Sequence, residues 1–185
     1  MTRLPGRTEW HPPQPQQFLR RLAEPLPSVH ATPLAADRRL PAYQPYPLRL
    51  RRPPAWASRP RVWWRAIELL DGPPPSEERA LIHRDYHPGN VLWRSRRVSG
   101  LVDWVNASVG CPWADVGHCR VNLAPALGQP AADRFLELYG AVSGRTDDYD
   151  PYWDVAAAVG GLEADVDEAP SPADESFLAA AVAQL

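Results

Sequence analysis

Apolar positions along the chain change their spacing near residue 80. Sixteen of the 23 prolines precede residue 81, and a proline inside a helix removes a hydrogen bond and clashes with the preceding turn. Two windows escape this restriction. From Gln14 to Glu24, Phe18, Leu19 and Leu22 recur at helical spacing until Pro25 and Pro27 interrupt. In the second, Ser58 is the expected N-cap, Pro60 falls in the first turn, and Val62, Trp63, Ala66, Ile67 and Leu70 form an apolar stripe that stops at Asp71-Gly72-Pro73. Between the windows, Pro41 to Pro54 reads as an extended connection wrapping the surface.

From Ala80 the pattern is short and apolar. Ala80 to His83, Asn90 to Trp93 and Gly100 to Asp103 read as strands, with Arg94 to Ser99 a polar hairpin-like connection between the second and third. Beyond Pro112 the chain is expected to be helical over Trp113 to Leu127, Ala131 to Val142, Pro151 to Val159 and Ala173 to Leu185. Ser171 is the expected cap of the last helix, with Pro172 in its first turn. This predicts an α+β fold, predominantly helical, in which one lobe carries a small strand-and-loop insert.

Composition narrows the chemistry. The 185 residues include 20 basic side chains, all arginine, and no lysine. Schiff-base and Walker-type lysine mechanisms are excluded, as is the strand lysine that protein kinases set against nucleotide phosphates. Net charge is −2 but uneven: residues 1–80 hold 13 Arg and 7 acids, 81–145 hold 7 Arg and 5 acids, and 146–185 hold 10 acids and no Arg. An Arg-rich front with Trp56, Trp63 and Trp64 could stack on nucleic acid, but no nucleic-acid motif accompanies it, and a surface segment lying against the acidic end is preferred. Cys111 and Cys119 form no C-x-x-C pair and read as buried thiols rather than a zinc site. No run of 18 apolar residues occurs, and the start lacks the apolar core of a signal peptide, so no membrane partner and a cytoplasmic location are expected.

The informative stretch is Ile82-His83-Arg84-Asp85-Tyr86-His87-Pro88-Gly89-Asn90-Val91-Leu92-Trp93, followed by Asp103 after an apolar run. Phosphoryl transfer needs one carboxylate to orient a hydroxyl and accept its proton, and an oxygen-ligand pair to hold Mg²⁺ against phosphates. Asp85 suits the first task; Asn90 and Asp103 suit the second. The alternatives are turn-capping carboxylates at Asp85 and Asp103 and a turn residue at Asn90. His87 reads as a loop-packing imidazole, His118 and Cys119 as a buried helix face, and Trp93 and Trp104 as core.

H-R-D-Y-H-P-G-N-V-L-W followed by L-V-D-W resembles the catalytic and metal-binding segment of the aminoglycoside phosphotransferase family, related to choline kinases and protein kinases. The resemblance implies a protein-kinase-like C-terminal lobe that transfers the γ-phosphate of ATP or GTP to a small-molecule hydroxyl. By it, Asp85 is the catalytic base, Asn90 and Asp103 ligate Mg²⁺, and His83 and Arg84 support the loop. Pro112-Trp113-Ala114-Asp115 is similar to the segment whose Asp anchors that loop from a helix. Residues 1–13 look like the lead-in from the hinge between two lobes, whose backbone near Met1, Arg3 and Leu4 would bind the nucleotide, and 14–185 like the large lobe. The N-terminal β lobe, with its phosphate-covering loop and lysine, is not encoded here, so little or no turnover is expected of the chain by itself; a ligand- or partner-binding homologue is the alternative. The acidic Asp147, Asp148, Asp150 and Asp154 read as a solvated face, or as part of a pocket for a cationic acceptor.

Overall fold

The computed structural model describes residues 4–34, 40–46, 50–145, 149–160 and 172–185. Helix α1 spans Pro15–Ala23 and buries Phe18, Leu19, Leu22 and Ala23, the stripe that the spacing marks. A short helix α2, Leu26–His30, follows directly. The sequence reading ended helix at Pro25, but Pro27 stands in the first turn of α2, where a missing N–H costs nothing.

Helix α3 spans Pro60–Leu70 with Arg59, not Ser58, at its cap position and no side-chain cap bond. The expected capping by Ser58 is corrected: its hydroxyl donates instead to Glu175, which also accepts from Arg59 N at 3.0 Å and Trp63 Nε1 at 2.9 Å. Glu175 thus ties α3 to the last helix. Ala42, in the stretch read as a plain surface connection, bridges Val109 in parallel, and Leu50 is buried.

Four short strands follow. Strand β1 is Ala80–Ile82, β2 Val91–Arg94, β3 Arg97–Leu101 and β4 Ser108–Gly110. β1 pairs antiparallel with β4, and β2 with β3. The β2–β3 turn is two residues, Ser95 and Arg96, with φ of 50° and 59°. The expected loop over Arg94 to Ser99 is therefore corrected to a tight turn of the mirror-image kind that matches strand twist. Strand β4 has no counterpart in the sequence reading.

Helix α4 spans Trp113–Leu127, α5 Gln129–Ser143, α6 Tyr152–Val159 and α7 Pro172–Val182. Ser171, the expected cap of α7, lies outside the described residues. One core gathers α1, α2, α4 and α5 under β1. A second, built on Leu50, Trp63, Ile67, Val155, Val159 and Leu178, joins α3, α6 and α7. Cys111 and Cys119 are buried free thiols.

Gly117 sets the approach of α4 and α6. A Cβ there would lie 2.5 Å from the Trp153 carbonyl oxygen and 2.7 Å from its carbon. Alanine gains about 1 kcal/mol of helix propensity, but it overpacks against main chain that cannot swing aside. Gly117→Ala is expected to lose about 1–2 kcal/mol net, read as a lower urea midpoint at unchanged slope.

Candidate active site

The chain between β1 and β2 has few strand partners for its main-chain groups, and Arg84 adopts a left-handed φ of 67°. A buried carboxylate holds it. Asp115, in the first turn of α4 and 0% exposed, accepts from His83 N at 2.9 Å and Arg84 N at 2.6 Å. His30 Nε2 also reaches Asp115 Oδ2 at 3.0 Å, and His30 Nδ1 lies 2.9 Å from the Tyr139 hydroxyl. Because a carboxylate accepts, Nε2 carries the hydrogen of the bond to Asp115. Helices α2, α4 and α5 are tied to the loop through this chain of bonds.

His83 joins the loop to the far end of β3. Its Nε2 lies 2.8 Å from Val102 O, and its Nδ1 accepts from Asp85 N at 3.3 Å. Arg84 turns outward: its guanidinium packs over the rings of Tyr46 at 4.4 Å and Tyr43 at 5.4 Å and donates to Gln44 O.

Asp85 is one-quarter exposed, with its two oxygens held by different elements. Asn90 Nδ2 donates to Asp85 O at 2.9 Å and to Oδ2 at 3.0 Å. His118 Nε2, from α4, lies 2.9 Å from Oδ1. His87 Nε2 lies 3.6 Å from the same oxygen, and its Nδ1 accepts from Gly89 N at 3.1 Å. The His118 hydrogen bond, helped by both imidazoles and Asn90, holds the Asp85 carboxyl down at about 2 against the opposing effect of burial. Burial pushes the His87 imidazole downward.

The β2–β3 hairpin brings Asn90 to Asp103. Val91 pairs with Leu101, and Val102 N donates to Asn90 O at 3.0 Å. Asp103 is the next residue, exposed, with a left-handed φ of 63° that turns the chain away from the hairpin. Among the described residues its carboxylate has no hydrogen bond or ion pair, and the Asn90 amide, with Nδ2 directed at Asp85, has Oδ1 unengaged. No group of three or more His, Cys, Asp and Glu side chains among the described residues is arranged to hold a metal. Mg²⁺ is typically held by one or two protein oxygens together with waters and substrate phosphates, and the oxygens that the hairpin leaves unengaged here are Asn90 Oδ1 and the Asp103 carboxylate.

Met1 and Arg3 lie outside the described residues. Leu4 is exposed and packs beside Gly100. The following residues run along the hairpin: Ser99 Oγ donates to Pro5 O at 2.6 Å, and Arg7 exchanges main-chain bonds with Trp93 at 3.0 and 2.8 Å.

Three side chains depart from their sequence readings. His118, read as buried helix face, touches Asp85; its spacing from Asp115 on one helix was the available signal. Trp104 is more than one-third exposed rather than core, its ring 4.5 Å from His83. Asp154 belongs neither to a solvated face nor to an open pocket: it is 2% exposed and paired with Arg120 at 2.9 Å. Asp150, two residues before α6 begins, accepts from Tyr152 N at 2.8 Å, and Asp147 and Asp148 lie outside the described residues.

The fold is a helix-rich lobe of the kinase-like kind, and its hairpin presents an Asn and an Asp beside a loop carboxylate. The chain belongs to the phosphotransferase enzyme family (APH), whose model matches residues 1–159. Among solved structures it is similar to a type I macrolide 2'-phosphotransferase, 23% identical with a TM-score of 0.58, covering 100% of this chain and 67% of that one. A putative aminoglycoside phosphotransferase from Ralstonia eutropha is 18% identical with a TM-score of 0.63, covering 100% of this chain and 72% of that one. The amicoumacin kinase hAmiN, solved in complex with AMP-PNP, Ca²⁺ and Ami, is 14% identical with a TM-score of 0.57, covering 98% of this chain and 62% of that one. These likenesses establish the fold. The uncharacterized protein YcbJ of Bacillus subtilis (strain 168) is 37% identical over 67 residues, which is 36% of this chain and 21% of that protein. The chain thus spans about a fifth of that curated relative in the matched region and roughly two thirds of the solved chains. Among the described residues no helix is long and apolar enough to cross a membrane.

Proposed function

We propose that this chain forms the large lobe of a kinase that transfers the γ-phosphoryl group of ATP or GTP to a hydroxyl group of a small molecule. The observation that carries the reading is the arrangement of Asp85, Asn90 and Asp103: one carboxylate held by Asn90 and His118, and an unengaged amide oxygen beside a second, exposed carboxylate. The acceptor hydroxyl would lie against Asp85. As the new O–P bond forms and the bond to the nucleoside diphosphate breaks, the O–H bond breaks and its proton passes to the Asp85 carboxylate. The Asp85 carboxyl, held down by His118, is ionised at neutral pH and so able to accept that proton. A divalent ion such as Mg²⁺, held by Asn90 and Asp103, neutralises charge on the phosphates when bound. Asp115, His30 and His83 would keep the loop in register, and Leu4 to Arg7, beside the hairpin, would border the nucleotide.

Because the chain spans part of its relatives' length, binding and transfer are tested together. Thermal unfolding is measured with ATP or GTP, with and without Mg²⁺, alongside phosphate transfer to a panel of hydroxyl compounds. A metal-dependent rise in melting temperature, lost in Asp103→Asn, is expected; stabilisation that ignores both chelation and Asp103→Asn would sink the assignment.

A further inference from the structure

Helix α4 grips the catalytic loop twice. Asp115 takes the main-chain amides of His83 and Arg84, and His118, three residues further along the same helix, reaches the side chain of Asp85. Residues three apart share a helix face, so both contacts issue from one rigid surface. We propose that His118 is a positioning residue for the base, its Nε2–H fixing Asp85 Oδ1 while Asn90 fixes Oδ2. This rests on the phosphoryl-transfer reading above.

The need for a second clamp follows from the side chain itself. The last torsion of an aspartate is broad and nearly two-fold, and Asp85 stands in a loop with about a quarter of its side chain open to solvent. Asn90 holds Oδ2 but also serves the metal pair, so its amide has two tasks. His118 has no such division and is carried by a 15-residue helix. His87 cannot replace it. At 3.6 Å its Nε2 is beyond hydrogen-bond reach of Oδ1, and its Nδ1 is committed to Gly89 N. With Oδ1 and Oδ2 each held by one donor, the remaining lone pair on either oxygen keeps a fixed direction toward the acceptor. His118 also lines the narrow cleft formed with Tyr43, Tyr46, Arg84 and Trp153, so the clamp lies beside open space rather than inside the core.

The test compares wild type, His118→Leu and His118→Gln by crystal structure and by transfer kinetics. Leucine removes the donor; glutamine retains an N–H of similar reach. In His118→Leu the Asp85 carboxylate is expected to rotate or split between conformers, with kcat lower by about 10–100-fold and KM for the nucleotide unchanged. His118→Gln should restore both the orientation and most of kcat. An unmoved Asp85 carboxylate in His118→Leu, or equal impairment of the Gln and Leu variants, overturns the proposal. If wild type phosphorylates no acceptor, as expected of this lobe by itself, the orientation of Asp85 in the variants decides whether His118 positions it, while the phosphoryl-transfer reading stands or falls on the metal-dependent nucleotide binding tested above. Should leucine prevent folding, His118→Asn, too short to span the same contact, takes its place.

Discussion

Replacing Asp85 by Asn is expected to lower phosphoryl transfer by about 10²–10⁴-fold, the usual contribution of a positioned general base, while metal-dependent nucleotide binding persists. Asparagine is nearly isosteric, so the loop keeps its shape. Asn90 can still donate to the new side chain's oxygen, and His118 can present Nε2 as an acceptor to its amide by changing tautomer. What is lost is the group that takes the acceptor's proton. Steady-state rates against nucleotide and acceptor, with melting curves in Mg²⁺ and nucleotide as the binding control, separate loss of chemistry from loss of fold. Transfer within a few-fold of wild type would remove Asp85 from the mechanism.

The same substitution has a signature in acid. The Asp85 carboxyl is held at about 2, below its ordinary 3.8. A carboxyl depressed by folding adds stability that is present above its unfolded value and lost as pH falls through its folded one. The advantage of wild type over Asp85→Asn in melting temperature should therefore be full above about pH 4 and fade toward pH 2.

Much of the site was legible because its parts are local. Asp85 and Asn90 belong to one short stretch, and Asp103 follows the hairpin that begins just after Asn90, so spacing together with the family resemblance pointed to all three. Helix α4 was legible for a similar reason: between Pro112 and Gly128, Trp113, Val116, Cys119, Leu123 and Leu127 fall at helical spacing. Failures occurred where the deciding partner is remote or the usual marker is missing. Ser95 and Arg96 adopt left-handed conformations without the Gly or Asn that normally announces such a turn. Strand β4 is three residues long and is defined by pairing with β1. His118 and Asp154 were misjudged because a charge pattern read along the chain does not reveal that Asp85 faces one and Arg120 the other.

Breaking the Arg120–Asp154 pair is expected to destabilise the lobe by about 3–5 kcal/mol, whereas replacing both members together should cost far less. Arg120 on α4 is 2% exposed and each of its nitrogens is engaged: Nε with Asp154 Oδ1 at 2.9 Å, Nη1 with Ala132 O at 2.8 Å, and Nη2 with Asp154 Oδ2 at 3.0 Å and Asp133 Oδ1 at 3.2 Å. Its guanidinium also lies over the rings of Tyr149 at 5.5 Å and Phe177 at 5.9 Å, and the Tyr149 hydroxyl donates to Asp154. The one group therefore links α4, α5, α6 and α7. Burial pushes the Asp154 carboxyl upward, and the guanidinium opposes that push. Arg120→Met would leave a buried carboxylate with no cation. Asp154→Leu would leave a buried guanidinium with Asp133, at the surface, as its remaining acid. Each single variant should melt roughly 6–20 °C below wild type, at about 2–4 °C per kcal/mol for a domain of this size. The double variant Arg120→Met/Asp154→Leu removes both desolvated charges and should recover most of that loss. A double-mutant cycle by urea unfolding measures the coupling; additive losses would show that the two side chains stabilise the helices independently rather than as a pair.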